Sequence, residues 1–142
     1  MLGTLDSQQI EHLLHAEVVG RIGCHAGGRT YVVPVTYAYD GAAVYCHSAE
    51  GLKLAMMRQN DAVCFEVDRM ESMVNWRSVI ASGTFEELHG EAAQLGLTLL
   101  IRRLAPVLTS ETAPTHRADT VARTAVVFRI VLGEKTGRFE KR

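Results

Sequence analysis

The segment Tyr45-Cys46-His47-Ser48-Ala49-Glu50-Gly51-Leu52-Lys53 carries the densest set of groups able to hold an anion. Strand-forming residues give way there to helix-forming ones. The free N–H groups of a first helical turn point outward with partial positive charge, while Ser48 adds a hydroxyl and Lys53 an ammonium, so a phosphate would meet several donors at once. The same spacing also describes a serine that caps the helix and a lysine in solvent, and the two readings stay open at this level. A second candidate is Val32-Val33-Pro34-Val35-Thr36-Tyr37. Pro34 has no N–H to give a ladder, so it marks a sheet edge, a bulge, or a point where something other than a strand meets the backbone. Unpartnered backbone groups beside valines suit a flat heterocycle with polar edges and apolar faces; an ordinary edge proline is the alternative. The third is Asn75-Trp76-Arg77-Ser78, where the single tryptophan of the chain stands beside a guanidinium. That pair can stack on and clamp a ligand, or be a core ring next to a surface charge.

The elements that must position these groups are mostly strands. Asp6 and Gln9 form a capping box, with Leu5 and Ile10 as a hydrophobic staple, and predict a short helix to about His15. Residues 18–25 favour a strand, Gly27-Gly28 supply a hairpin turn, 30–39 form a second strand, and Asp40-Gly41 turns the chain into a third strand over 43–47. Residues 52–58 predict a short helix, 62–67 a strand, and 76–88 a long strand bent by a bulge at Gly83. Residues 91–104 give the longest helical pattern. Its apolar face, with Ala92, Leu95, Leu99 and the run from Ile101, is expected to pack on the sheet before Pro106 stops it. A loop rich in Thr, Ser and Pro over 109–120 precedes a last strand over 124–132. The expected fold is mainly β: a six- to seven-stranded antiparallel barrel, one domain over 1–142, with an N-terminal helix, a short helix after the third strand and a longer one later.

Composition excludes some functions. With 142 residues, 47% hydrophobic and 22% charged, the chain suits one globular domain. A formal net charge of -1 provides no positive field for a nucleic acid. Cys24, Cys46 and Cys64 are odd in number and sit in apolar runs, so they read as reduced core residues and not as a disulfide or metal framework. No window reaches the roughly 18 apolar residues of a membrane helix, and the N-terminus lacks the pattern of a signal peptide, so a cytoplasmic protein is expected.

Taken in order, these pieces resemble the FMN-binding split β-barrel family related to pyridoxamine 5'-phosphate oxidase, in its short branch similar to nitroimidazole-resistance proteins. The matching segments are Val19-Gly20-Arg21-Ile22, Val33-Pro34-Val35-Thr36-Tyr37, Tyr45-Cys46-His47-Ser48-Ala49 with Gly51 and Lys53, Asn60 with Val63-Cys64-Phe65-Glu66-Val67, Arg77-Ser78-Val79 through Gly83, and Thr136-Gly137-Arg138. The resemblance implies FMN as cofactor, with Val33, Pro34, Val35 and Thr36 along the flavin ring and His47, Ser48 and Lys53 at the ribityl phosphate. It further implies a homodimer in which Trp76, Arg77 and Ser78 reach the flavin from the second copy. Two departures argue against vitamin B6 oxidation. Leu52 stands where the oxidases carry an arginine before the lysine, and residues 139–142 do not provide their longer tail.

The expected function is an FMN-dependent oxidoreductase that reduces a small organic acceptor, nitroaromatic or quinone-like, with NAD(P)H as a possible donor. His47 is the candidate catalytic residue. An imidazole of ordinary pKa, about 6.5, can deliver a proton near neutral pH, or it can hydrogen-bond the cofactor. The competing readings are a carrier or sensor that binds flavin, deazaflavin or haem without turnover, and an assembly subunit using the 109–120 loop and the apolar helix.

Overall fold

A computed structural model of the chain describes residues 1–106 and 125–142; the expected loop over 109–120 lies outside the described residues. The elements are β1 (Leu2–Thr4), α1 (Ser7–Ala16), β2 (Val19–Ala26), β3 (Arg29–Thr36), β4 (Ala38–Tyr39), β5 (Ala43–Ser48), α2 (Leu52–Gln59), β6 (Ala62–Ser72), β7 (Asn75–Glu87), α3 (Gly90–Leu104) and β8 (Val126–Lys141). Every ladder is antiparallel, and the strands run β3-β2-β6-β7-β8-β5-β4 with β1 added to the far end of β8. The capping box is present. Asp6 accepts from the Gln9 N–H at 2.8 Å, and the Gln9 side chain accepts from the Asp6 N–H at 2.9 Å.

The expected single strand over 30–39 is divided at Tyr37, and that division shapes the molecule. β3 pairs with β2, whereas β4, one residue later, pairs with β5 at the other end of the sheet. The sheet path therefore begins and ends on two halves of one chain segment, and the sheet curls into a barrel that is split between them. Tyr37 is the pivot. It is fully buried, its N–H bonds the Val18 carbonyl at 2.9 Å, and its hydroxyl donates to the Leu14 carbonyl at 2.7 Å. Its ring meets Phe65 edge-on with centroids 5.0 Å apart. The bend is thus held by three separate contacts of one residue.

Inside the barrel Ile22, Val44, Phe65, Val67, Val79, Phe128 and Ile130 pack with Leu13 and Leu14 of α1 and Leu54 and Met57 of α2, all essentially without solvent exposure. Alternation along the strands puts their other face outward. Cys24 and Cys46 lie in the core as free thiols, but Cys64, expected there too, is exposed on the outer face because it is out of phase with Val63 and Phe65.

Three further expectations need correction. β8 continues well beyond residue 132, because Gly133 and Glu134 form a bulge and not a turn. Ala81 faces Lys135 while Gly83 faces Leu132, so Ser82 alone opposes the pair, and its Oγ accepts from the Glu134 N–H at 3.1 Å. The extra residue thus belongs to β8, beside the Gly83 that marked it; a Cβ on Gly83 would fall 2.4 Å from Ile130 Cγ2. The three-residue β1 was not expected, being too short and glycine-interrupted to show a period. Together with the division at Tyr37, it raises the strand number to eight among the described residues. Finally, α3 packs through Gly96 and Leu100 against Ala38, Ala43 and Tyr45, leaving Leu95, Leu99 and Ile101 of the expected core face exposed. A Cβ on Gly96 would stand 3.1 Å from the Tyr45 ring, so helix and strand meet where a side chain is missing. Among the described residues no helix is long and apolar enough to cross a membrane.

Candidate functional site

The split in the barrel brings the first two candidate segments together. The β4–β5 ladder holds Ala38 opposite Tyr45 and Tyr39 opposite Val44, and stops there. Extended by two residues, the same register would set Thr36 opposite His47. Instead β3 swings to β2, and β3 and β5 approach each other without forming a ladder. The edge of β3 away from β2 therefore has no strand partner along Val33–Thr36, as the proline suggested. Side chains alternate across that edge. Val35 is in the core and Val33 is packed against it, whereas Pro34 and Thr36 are exposed. What this edge can offer a flat ligand is backbone N–H and C=O groups together with Pro34 and Thr36.

Across the split, β5 ends at Ser48 and α2 begins at Leu52. Gly51 is the N-cap and supplies no side chain, and the first N–H of the helix to find a carbonyl is that of Ala55, on Gly51 at 3.1 Å. The N–H groups of the preceding turn are left to other acceptors. The alternative reading of Ser48 as the cap does not hold, because its hydroxyl donates to the Ala49 carbonyl at 2.8 Å. Nor is Lys53 a fully solvated charge: it is half-buried, and its ammonium acts on both His47 and Cys46. Burial first, and Lys53 second, hold the His47 pKa below the ordinary imidazole value. At neutral pH the ring is therefore uncharged. It is suited to giving or taking one hydrogen bond and poorly suited to storing a proton.

Half-buried cations are informative when nothing satisfies them. Among the described residues Arg21, Arg129 and Lys135 are in ion pairs, and Arg103 donates to the carbonyls of His15 and Ala16. Lys53 and Arg77 are the half-buried cations left without an acceptor among the described residues, and both stand in segments singled out from the sequence.

The third segment lies elsewhere in the same chain. Trp76 faces Glu140 and Ser78 faces Arg138 at the far end of β8, while His47 and Ser48 face Val127 and Val126 at its beginning. Trp76 and Arg77 are half-exposed and line a cavity of about 250 Å³ with Leu5, Gln9, Asn75 and Phe139. His47, Ser48 and Lys53 do not border it. No group of three or more metal-ligating side chains occurs among the described residues.

Sequence reasoning missed one group beside the loop between β5 and α2. Arg58, in the last turn of α2, donates through Nη1 and Nη2 to Glu50 at 2.7 and 2.9 Å and through Nε to Glu87 at 2.7 Å. The Glu50–Arg58 spacing carries no helical signal, since Glu50 precedes the helix, and Glu87 arrives only through the sheet.

An antiparallel split barrel with a helix N-terminus and, among the described residues, an unpaired lysine at the mouth of its split is the class these features define. A sequence profile for pyridoxamine 5'-phosphate oxidase matches residues 6–139, and the chain belongs to that family. It is 31% identical over 84 residues to an uncharacterised protein of Rhizobium meliloti (strain 1021), a match spanning 59% of this chain and 56% of that relative's length. Among solved structures, a FAD-binding protein of Mesorhizobium loti superposes with TM-score 0.82 at 31% identity, over 100% of this chain and 98% of that one. A candidate 5-nitroimidazole antibiotic resistance protein of Bacteroides thetaiotaomicron gives TM-score 0.75 over 98% of this chain and 89% of its own. At 22% identity the latter supports the fold alone.

Proposed function

We propose that this chain binds FMN as a homodimer and acts as an oxidoreductase that reduces a small organic acceptor, nitroaromatic or quinone-like, with electrons from NAD(P)H. The observation that carries the reading is the pair of half-buried cations left unpaired among the described residues, Lys53 and Arg77, in segments at opposite ends of one strand. Lys53, the free N–H groups of α2 and His47 would hold the phosphate and ribityl chain. The open edge of β3 at Val33–Thr36 would receive the polar edge of the ring. Trp76, Arg77 and Ser78 of the second copy would complete the enclosure, since those of the same chain lie at the other end of β8. Bound flavin would supply hydride or electron transfer at its N5. The protein orients the ring, excludes water and presents a neutral His47 as a hydrogen-bond partner. FMN is the cofactor the resemblance implies, while the Mesorhizobium loti relative is named as a FAD-binding protein.

The test is a visible spectrum of the purified protein before and after addition of FMN and desalting, followed by acid extraction and chromatography of whatever is retained. Retained FMN, bleached by NAD(P)H and restored by a nitroaromatic or quinone, supports the proposal. Retained FAD corrects the cofactor, retained flavin or deazaflavin without turnover makes the protein a carrier or sensor, and a Soret band replaces flavin by haem.

A further inference from the structure

We propose that Arg58 is a positioning residue for the phosphate end of the flavin site, acting by withholding Glu50 from the N-terminus of α2; this rests on the phosphate reading given above. Glu50 immediately precedes the N-cap Gly51, where an anionic side chain is attracted to the same uncapped N–H groups that a phosphate would use. Left free, the carboxylate would either fold over those groups or repel a dianion approaching them. Arg58 prevents both. Its two terminal nitrogens grip the two oxygens of Glu50 in a fork at 2.7 and 2.9 Å, and its Nε holds Glu87 at 2.7 Å. Glu87 is a fixed point: it faces Phe128 on β8, and Phe128 faces Cys46 on β5, two residues before Ser48. The loop between β5 and α2 is thereby referred to the sheet row that carries the site. The Glu50 carboxyl is held below its ordinary pKa by this arginine, so the pair is charged at neutral pH. Neither local capping nor any other side-chain bond restrains Glu50 among the described residues.

The role is distinguishable from simple stabilisation because it concerns only the phosphate and only the charge of Glu50. Affinities for FMN and for riboflavin are measured by flavin fluorescence titration on the wild type, Arg58→Gln, Arg58→Lys, Glu87→Gln and the double variant Glu50→Gln/Arg58→Gln, each with a thermal melt. The expected result is a loss of roughly tenfold in FMN affinity for Arg58→Gln with riboflavin affinity unchanged, corresponding to a disturbed charge-assisted contact. Arg58→Lys recovers part of that loss, and the double variant recovers most of it, because a neutral side chain no longer competes with the phosphate. Glu87→Gln gives a smaller loss of the same kind and serves should Arg58→Gln not fold. Unchanged FMN affinity, an equal loss for FMN and riboflavin, or no recovery in the double variant each overturns the role of Arg58. A wild type that binds riboflavin as tightly as FMN overturns the phosphate reading itself, and this inference with it.

Discussion

His47 and Trp76 are held against opposite ends of one strand: His47 faces Val127 and Trp76 faces Glu140, thirteen residues further along β8. At about 3.3 Å per residue this is some 40 Å measured along the curved strand, and the cavity that Trp76 lines is not bordered by His47. In the proposed site the ligand would draw the two ends from two copies, and an isologous two-fold contact would supply them in the simplest way.

On the proposed reading Lys53 is the chain's own charge for the phosphate; it is half-buried and without an acceptor among the described residues. Lys53→Ala is expected to weaken FMN binding by about 1.5 to 3 kcal/mol, the range for a hydrogen bond to a charged group. Titration with riboflavin should show little change. Equal FMN affinity in the two proteins would remove Lys53 from the site.

Glu66 provides a pH dependence unrelated to the cofactor. Arg21 Nη1 lies 3.3 Å from Glu66 and 3.0 Å from Asp68, so two carboxylates share one cation. Burial, and then Asp68, push the Glu66 pKa from 4.5 up to about 7. Between those values the folded chain keeps a proton that the unfolded chain has released, and stability falls as pH rises through the window. Glu66→Gln removes that penalty while Arg21 keeps Asp68. Melting temperature is expected to rise above pH 7, by about 2–4 °C for each kcal/mol regained, and to match the wild type below pH 4.5. A variant less stable at pH 8 would show that the ion pair outweighs the penalty.

Gly83 tests the bulge. A Cβ there would stand 2.4 Å from Ile130 Cγ2 and 3.2 Å from the Val131 carbonyl oxygen on the neighbouring β8. Gly83→Ala should cost about 1–3 kcal/mol through overpacking, read as a lower denaturant midpoint at unchanged slope. Wild-type stability would mean that the two strands separate freely at this point.

How much of this was legible in the sequence depends on the range of each interaction. The capping box, the Gly27-Gly28 hairpin and the two short helices are decided within a few residues, and their residue types announce them. Tyr37 is different: nothing in Val-Thr-Tyr-Ala says that a strand changes partners there, because the pivot depends on Val18, Leu14 and Phe65. The continuation of β8 past Leu132 depends on Ser82 standing opposite Gly133 and Glu134, a pairing that spacing along the chain does not show. The apolar face of α3 was misjudged because its contact is made through Gly96, a residue that hydrophobic periodicity discounts. Ser48, Lys53 and Pro34 stand out by residue type, whereas the approach of β3 to β5 follows from the change of strand partner at Tyr37, and the grip of Arg58 on Glu50 joins a helix to the loop before it; neither can be read from spacing.

The most direct test of the two-chain flavin site is complementation. Lys53→Ala and Arg77→Ala chains, carrying different tags, are co-expressed, and the doubly tagged species is isolated and titrated with FMN. A dimer whose sites each draw Lys53 from one copy and Arg77 from the other has one site with both defects and one intact, so it should bind one flavin with wild-type affinity while each parent variant binds weakly. If the mixed dimer binds no better than its parents, or no doubly tagged dimer forms, the flavin site is not shared between two copies and the central claim fails.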